Sequence, residues 1–431
     1  MTRPCACARP CSASPPSASR RRVGAGAEPP YGRSDRPQPP AGKTPLRILI
    51  APDSFKESLS ATDVAAALAR GLQDVLGDAV TCLQVPVADG GEGTLDAILA
   101  AAPGATRTRT VRDPLGRPCQ ARYALLDDGR RALIEMAAAS GLALVEPGLR
   151  APLAASSYGT GELIGEALAA GAREIVVGLG GSATNDGGAG VLQALGAALR
   201  DAGGAPLTVP VGGGDLPRIA TLDLAPLQER TAGVDFVVAC DVDNPLCGPR
   251  GASAVFGPQK GATPAHVARL DAALAHFGRL LEDATGIAIG ERPGAGAAGG
   301  LGGALLAACR ARLVPGVDLV LDLIGFDARL VDVDLVITGE GRVDAQTAAG
   351  KAPLGVARRA AARGIPVVAV GGSLAPRAEI ELATSFDAFV AATTAPTSLA
   401  AALRDTATNL EGAGRRIARW LLLARRLPRA P

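Results

Sequence analysis

Apolar positions along the chain fall into two alternating rhythms. Runs such as LRILIA (46–51), VTCLQVPVA (80–88), EIVVGL (174–179) and DFVVAC (235–240) are almost continuously apolar, and DLVITG (334–339), PVVAVGG (366–372) and AFVAAT (388–393) repeat the pattern late in the chain. Short unbroken runs of this kind are expected of strands covered on both faces. Between them lie stretches with helical spacing. One opens at Ser60 with Asp63 in the manner of a capping box and runs through Gly71; others reach about Ala102, span 188–200 and 353–363, and close the chain near Arg426. Strands alternating with helices predict an α/β fold with largely parallel sheets. Residues 106–136 break the rhythm: RTVRDPLG, CQARYALL and RALIEMA read as short strands joined by turns of Pro, Gly and Asp, which places a domain boundary near 105.

Composition narrows the function classes. The chain has 431 residues, 48% of them hydrophobic but only 3% aromatic, so its cores are expected to be built from Ala, Val, Leu and Ile. That length suggests two domains. No apolar stretch approaches the roughly 18 residues of a membrane helix, so a soluble, cytoplasmic protein is expected. Residues 1–45, rich in Arg and Pro, hold eight Lys/Arg against Glu28 and Asp35; they lack periodic apolar positions and are expected to be disordered. With +2 overall, their +6 leaves −4 on the remainder, which argues against a nucleic-acid partner. Eight dispersed cysteines form no C-x-x-C pair, and only His266 and His276 occur, which disfavours disulfide scaffolding, His-rich metal sites and Ser-His-Asp chemistry. Lysine is equally scarce. Lys43, Lys56, Lys260 and Lys351 stand among forty arginines, and those in the body of the chain are candidates for positions needing a compact ammonium.

Five loops share one grammar of strand, glycine with polar or charged residues, then helix. They are APDSFKESLS (51–60), VADGGEGT (87–94), GLGGSATNDGG (178–188), ACDVDNPLCG (239–248) and TGEGRVDAQTAAGK (338–351). Glycine loops at strand ends approach phosphate through bare backbone, yet these carry carboxylates. A cation removes the conflict, because Mg²⁺ takes one or two carboxylates together with phosphate oxygens and water. Asp186 beside Asn185 is a candidate to hold that cation or to orient an acceptor hydroxyl; the alternative is a helix cap before 188–200. Asp53 and Lys56 follow the first strand, Asp89 and Glu92 flank two glycines, and Asp241, Asp243 and Asn244 form an acid cluster whose alternative is an Asx turn. Gly178, Gly180 and Ala183 nominally match a dinucleotide fingerprint, but the acid it needs would be Asp201, read here at a helix C-terminus, so the match fails on context. No Walker P-loop occurs.

The strings IAPDSFKESLSA, PVADGGEGTLDA, GLGGSATNDGGAG, ACDVDNPLCGPRGASAVFGPQKGA, DLVLDLIGFD and ITGEGRVDAQTAAGKAPLGVA resemble the bacterial glycerate kinase family of glycerate and glucarate catabolism, in the same order, over roughly residues 46–425. The resemblance implies ATP- and Mg²⁺-dependent phosphorylation of D-glycerate, usually to 2-phosphoglycerate. It also implies two α/β domains around a cleft: a Rossmann- or flavodoxin-like one built from both chain ends, 46–105 and 315–426, and an inserted one, 106–314. Residues 1–45 match nothing in it.

The resemblance does not by itself distribute the roles. The expected catalytic set is Asp186 or Asp241 on the acceptor hydroxyl, with Lys56 and Lys351 neutralising phosphate or the glycerate carboxylate. Gly178, Gly180, Gly181, Ser182, Asn185, Gly339 and Gly341 are expected at the nucleotide, and Asp89, Glu340 and Asp344 at the metal. D-glycerate is the expected partner, and a homodimer the candidate assembly. A nicotinamide-dependent oxidoreductase of a small hydroxy acid and a non-catalytic small-acid sensor are the rival readings.

Overall fold

Thirteen strands are found among the described residues, which are 45–426 apart from 92, 103, 345, 346 and 348–350 of a computed structural model. Glu92 and the Arg- and Pro-rich start through residue 44 thus lie outside the described residues. In chain order the strands are β1 (Leu46–Pro52), β2 (Val80–Gln84), β3 (Gly104–Arg112), β4 (Pro118–Leu126), β5 (Arg131–Glu135), β6 (Glu174–Gly178) and β7 (Ala198–Arg200). They continue as β8 (Thr221–Asp223), β9 (Asp235–Ala239), β10 (Arg312–Val314), β11 (Leu335–Val343), β12 (Val367–Leu374) and β13 (Ala388–Ala391).

Both chain ends supply a five-stranded sheet ordered β13-β12-β11-β1-β2, parallel throughout. The middle of the chain supplies a six-stranded sheet ordered β10-β9-β6-β5-β4-β3; β5, β6, β9 and β10 run parallel, while β3 and β4 are antiparallel additions. β7 and β8 form a separate ribbon.

The crossovers from the two central strands of the first sheet leave on opposite faces. Helix Ala61–Leu76, which follows β1, packs with the C-terminal helix Thr406–Ala424 over Ile48, Ile50, Ile337 and Val370. Helix Ala352–Ala361, which follows β11, lies over Leu49, Ala51, Val336 and Ala369. The β1–β11 pair is therefore the topological switch of the sheet, and open parallel sheets bind ligands beyond the carboxyl ends of strands at that point. Helices Thr94–Ala101 and Gly316–Leu323 fill the space between the sheets: Leu95, Ile98, Val317 and Val320 belong to one apolar cluster with Leu49 and Val336 of the first and Leu133, Val176 and Val237 of the second. A second cluster, including Leu163, Ile164 and Leu305, covers the far face of the six-stranded sheet.

The periodic runs anticipate most of these elements, with corrections at their ends. Helix 188–200 stops at Ala194, because Gly196 adopts φ +112, after which residues 198–200 become β7. β2 ends at Gln84, although the N–H groups of Val85 and Val87 still bond the carbonyls of Ile50 and Pro52; Pro86 between them has no N–H to give. β11 runs on past Gly339 to Val343, paired with β12, and the helix begun at Ser60 continues beyond Gly71 to Leu76.

Candidate active site

Four of the five acid-bearing loops converge on one cleft of about 1030 Å³. The loops after β1 (Asp53–Leu59), before helix Thr94–Ala101 (Asp89–Gly91 and Gly93), after β6 (Leu179–Ser182) and after β9 (Cys240–Val242) line it, joined by Leu142, Phe256, Gln259, Ala297 and Ala298. Loops from different sheets meet there backbone to backbone. A methyl group on Gly178 would stand 2.7 Å from the carbonyl oxygen of Gly90, and one on Gly180 would stand 2.8 Å from Cα of Gly91. Glycine is required at both by close approach.

The acids in the cleft sit in unequal surroundings. Asp53 is buried; burial, reinforced by the nearby charges of Asp89 and Glu340, pushes its carboxyl up to about 7, against the opposing pull of the Ser54 N–H and Lys56. Asp241 is raised to about 6, again chiefly by burial; the Gly316 N–H bonded to its Oδ1 (2.8 Å) opposes that shift, while Asp89 and Asp318 add to it. Asp89 closes its own turn through the Gly91 N–H (3.1 Å). The acid cluster foreseen at 241–244 divides: Asp241 faces the cleft, whereas Asp243 pairs with Arg250 (2.8 Å) on the surface and Asn244 bonds the Arg250 carbonyl. Of the serines in the first loop, Ser54 lines the cleft, Ser58 is also tied to Leu403 and Thr406, and Ser60 caps its helix.

Asp186 is a correction. Its carboxylate is completely buried, absent from the cleft lining, and accepts four hydrogen bonds: the Ser157 N–H and hydroxyl (both 2.7 Å), the Gly188 N–H (3.1 Å) and the Gly190 N–H (3.2 Å). Burial still raises its pKa, with those donors opposing the rise. This is the helix-cap alternative, enlarged by Ser157, and it leaves the carboxylate no access to an acceptor hydroxyl. Asn185 is likewise buried, donating to Ser253 (2.9 Å). From this loop Gly180, Gly181 and Ser182 face the cleft, while Gly178 packs beneath it.

The last loop contributes from behind. Gly339 accepts the Asp53 N–H (2.8 Å), so it positions the first acid. Gly341 lies beside Phe55 and Lys56. Glu340 is buried and engaged by Thr347 (2.7 Å) and Lys351 (3.0 Å); Asp344 pairs with Arg342 (3.4 Å). Lys351 thus neutralises Glu340 from outside the cleft lining, whereas Lys56 is exposed within it.

The donor chemistry suits a divalent cation. Asp53, Asp89 and Asp241 offer carboxylate oxygens at one opening; Asp53 and Asp241 are held above their ordinary range chiefly by burial, and the charge of Asp89 adds to both shifts. Among the described residues no three His, Cys, Asp or Glu side chains form a ready-made metal cage. Mg²⁺ does not need one, since it keeps water and phosphate oxygens in its shell. Leu142, Leu179, Phe256 and Ala298, which form the apolar wall, and Gln259 were not singled out from sequence, although Leu179 lies in the glycine loop 178–188 and Phe256 and Gln259 in the string ending FGPQKGA.

Two outcomes follow for stability. Asp186→Asn presents an NH₂ group to a nest of donors, and is expected to destabilise the fold by about 2–4 kcal/mol; a chemical-denaturation midpoint equal to wild type contradicts the capping role. For Asp53 and Asp241 the folded pKa lies above the unfolded value, so the folded state retains protons that the unfolded chain has lost. Their contribution is most favourable below about pH 4 and is lost as pH rises through about 6 to 7. In chelator-treated protein, the drop in unfolding free energy between pH 5.5 and 8 should shrink in Asp53→Asn; an unchanged drop contradicts the assignment.

Comparison with known proteins bears on the chemistry of this cleft. The sequence model of the Glycerate kinase family matches residues 48–422. The chain is 47% identical over 380 residues to a Bacillus subtilis (strain 168) protein named glycerate kinase, covering 88% of this chain and 99% of that one. It is 45% identical over 381 residues to an Escherichia coli K12 protein named glycerate 2-kinase, covering 88% and 99%. The crystal structure of a Salmonella typhimurium LT2 protein described as glycerate kinase 2 superimposes with a TM-score of 0.80 at 46% identity, covering 89% of this chain and all of that one. With the cleft at the sheet's switch point and the family match spanning nearly the whole described chain, this protein belongs to the glycerate kinase family.

Proposed function

We propose that the chain transfers the terminal phosphoryl group of ATP to D-glycerate with Mg²⁺, giving 2-phosphoglycerate in preference to the 3-isomer. Family membership supports the kinase reading, and the E. coli relative's name, glycerate 2-kinase, supports the regiochemistry. The observation that carries it is the convergence of Asp53, Asp89 and Asp241 with the Gly180–Ser182 loop and Lys56 in one cleft. Its volume is at the upper end of the usual range for small-molecule sites, which suits two substrates held together.

Phosphoryl transfer asks for alignment and charge neutralisation more than for covalent work by the protein. Asp241 is the base for the acceptor hydroxyl: Gly316 holds Oδ1, leaving Oδ2 to take the proton, and a carboxyl near 6 is suited to that task around neutral pH. The Asp186 alternative is set aside because its oxygens are already occupied. Asp53 and Asp89 would hold Mg²⁺, which would supply charge neutralisation on the phosphates. Glu340, bonded to Lys351 and Thr347, acts on Asp53 from behind. Lys56 meets a phosphate or the glycerate carboxylate. Residues 46–105 with 315–426 form one domain in this reading and 106–314 the other, each carrying one sheet, and the enzyme works in the cytoplasm.

The rival readings have lost their footing. Asp201, which a nicotinamide site would need, closes a turn beside the β7–β8 ribbon by accepting the Gly203 and Ala205 N–H groups. A non-catalytic sensor does not account for the family.

Phosphorus NMR of a mixture of purified protein, ATP, Mg²⁺ and D-glycerate tests the proposal. The 2-phosphoglycerate resonance should grow in step with ADP, and Asp241→Asn should slow it by about 10²–10⁴-fold. Appearance of 3-phosphoglycerate overturns the regiochemistry, and no phosphoester at all overturns the function.

A further inference from the structure

Lys260 is fully buried behind the Gly180–Ser182 loop, and none of the roles above uses it. Its Nζ lies 2.8 Å from Ser182 Oγ and 2.6 Å from the Thr184 carbonyl oxygen. Among the described residues no carboxylate stands within ion-pair distance of it; burial lowers its pKa to about 7, and Asp186, at the far end of the same loop, opposes that fall without touching it. A buried ammonium without a contacting counter-charge is costly and calls for a reason.

An ammonium has three donors and no acceptor. In its charged form Lys260 therefore donates towards Ser182, and Ser182 Oγ accepts. The hydroxyl proton is then left to donate elsewhere, and no acceptor for it is found among the described residues. Ser182 lines the cleft and is only 8% exposed, so the side on which a partner for the hydroxyl can arrive is the cleft. Thr184, held by the same ammonium, keeps the loop from turning the serine away.

We infer that Lys260 is a positioning residue that fixes the Ser182 hydroxyl as a donor to an oxyanion of a bound substrate. The inference rests on the proposed kinase reading and adds to it a specific contact. A second effect has the same sign: the ammonium's charge lies one side chain behind the cleft wall, where a phosphate or carboxylate would be drawn towards it.

A double-mutant cycle in the full chain tests it, with Ser182→Ala, Lys260→Met, both together, and Ser182→Thr as the variant that keeps a hydroxyl. Glycerate-dependent ADP release and thermal midpoints are measured for each. Each single change is expected to lower kcat/KM roughly 10- to 100-fold, the pair to lose no more than about threefold beyond the worse single, and Ser182→Thr to recover most of the loss. A higher KM for nucleotide would identify the oxyanion as phosphate, and a higher KM for glycerate would identify it as the carboxylate. Wild-type kinetics in Ser182→Ala, or effects that multiply in the pair, overturn the inference. Should Lys260→Met fail to fold, the two Ser182 variants decide. Absence of glycerate phosphorylation in the wild type would instead sink the kinase reading; calorimetric affinities for ADP and pyrophosphate then decide the positioning claim, weaker binding in Ser182→Ala supporting it and equal binding overturning it.

Discussion

Gly316 is where the cleft is fastened together. It opens the helix that lies between the two sheets, its N–H donates to Asp241 in the loop after β9, and the place of its missing side chain is filled by the Asp89 carbonyl oxygen. A methyl group there would strike that oxygen and stand 2.6 Å from Asp241 Oδ2. Any side chain would force the loop before helix Thr94–Ala101 away from the loop after β9. Together with the backbone contacts of Gly178 on Gly90 and Gly180 on Gly91, this packing lets loops from separate sheets share one opening.

The electrostatics follow from that closeness. Glycine loops bring their acids along with their N–H groups, and Asp53 and Asp241 end up desolvated near other carboxylates. Such a group either keeps a proton or finds a cation. A site that loses stability when its acids ionise, and recovers it when a cation-bearing anion arrives, is suited to phosphoryl transfer, where the charges to be neutralised come with the substrate. Asp186 and Lys260 show the complementary arrangement. Their charges are held inside the loop after β6, on Ser157 and two glycine N–H groups at one end and on Ser182 and Thr184 at the other, and they set its shape without entering the opening.

Strand positions were legible because buried parallel strands leave unbroken apolar runs, and the loops were legible because glycine with acid at a strand end is uncommon in such numbers. The division of labour among the acids was not. Asp186 and Asp241 look alike in their local strings; what separates them is Ser157, twenty-nine residues from one, and Gly316, seventy-five from the other. Asp243 is two positions from Asp241 yet faces solvent with Arg250. Leu142, Phe256 and Ala298 form the apolar wall from three segments distant in sequence, of which only that of Phe256 lies in a recognisable string. Helix 188–200 failed for a local reason, since Gly196 at φ +112 ends any helix, but only the tertiary structure shows which glycine adopts that conformation.

In the proposed reaction, carboxylates from separate loops hold a metal-bound nucleotide in this cleft. Anomalous scattering of Mn²⁺ in crystals grown with a non-hydrolysable ATP analogue and D-glycerate tests this arrangement. A manganese peak is expected between phosphate oxygens and at least one of Asp53, Asp89 and Asp241. A nucleotide bound elsewhere, or a metal held by none of the three, would contradict it.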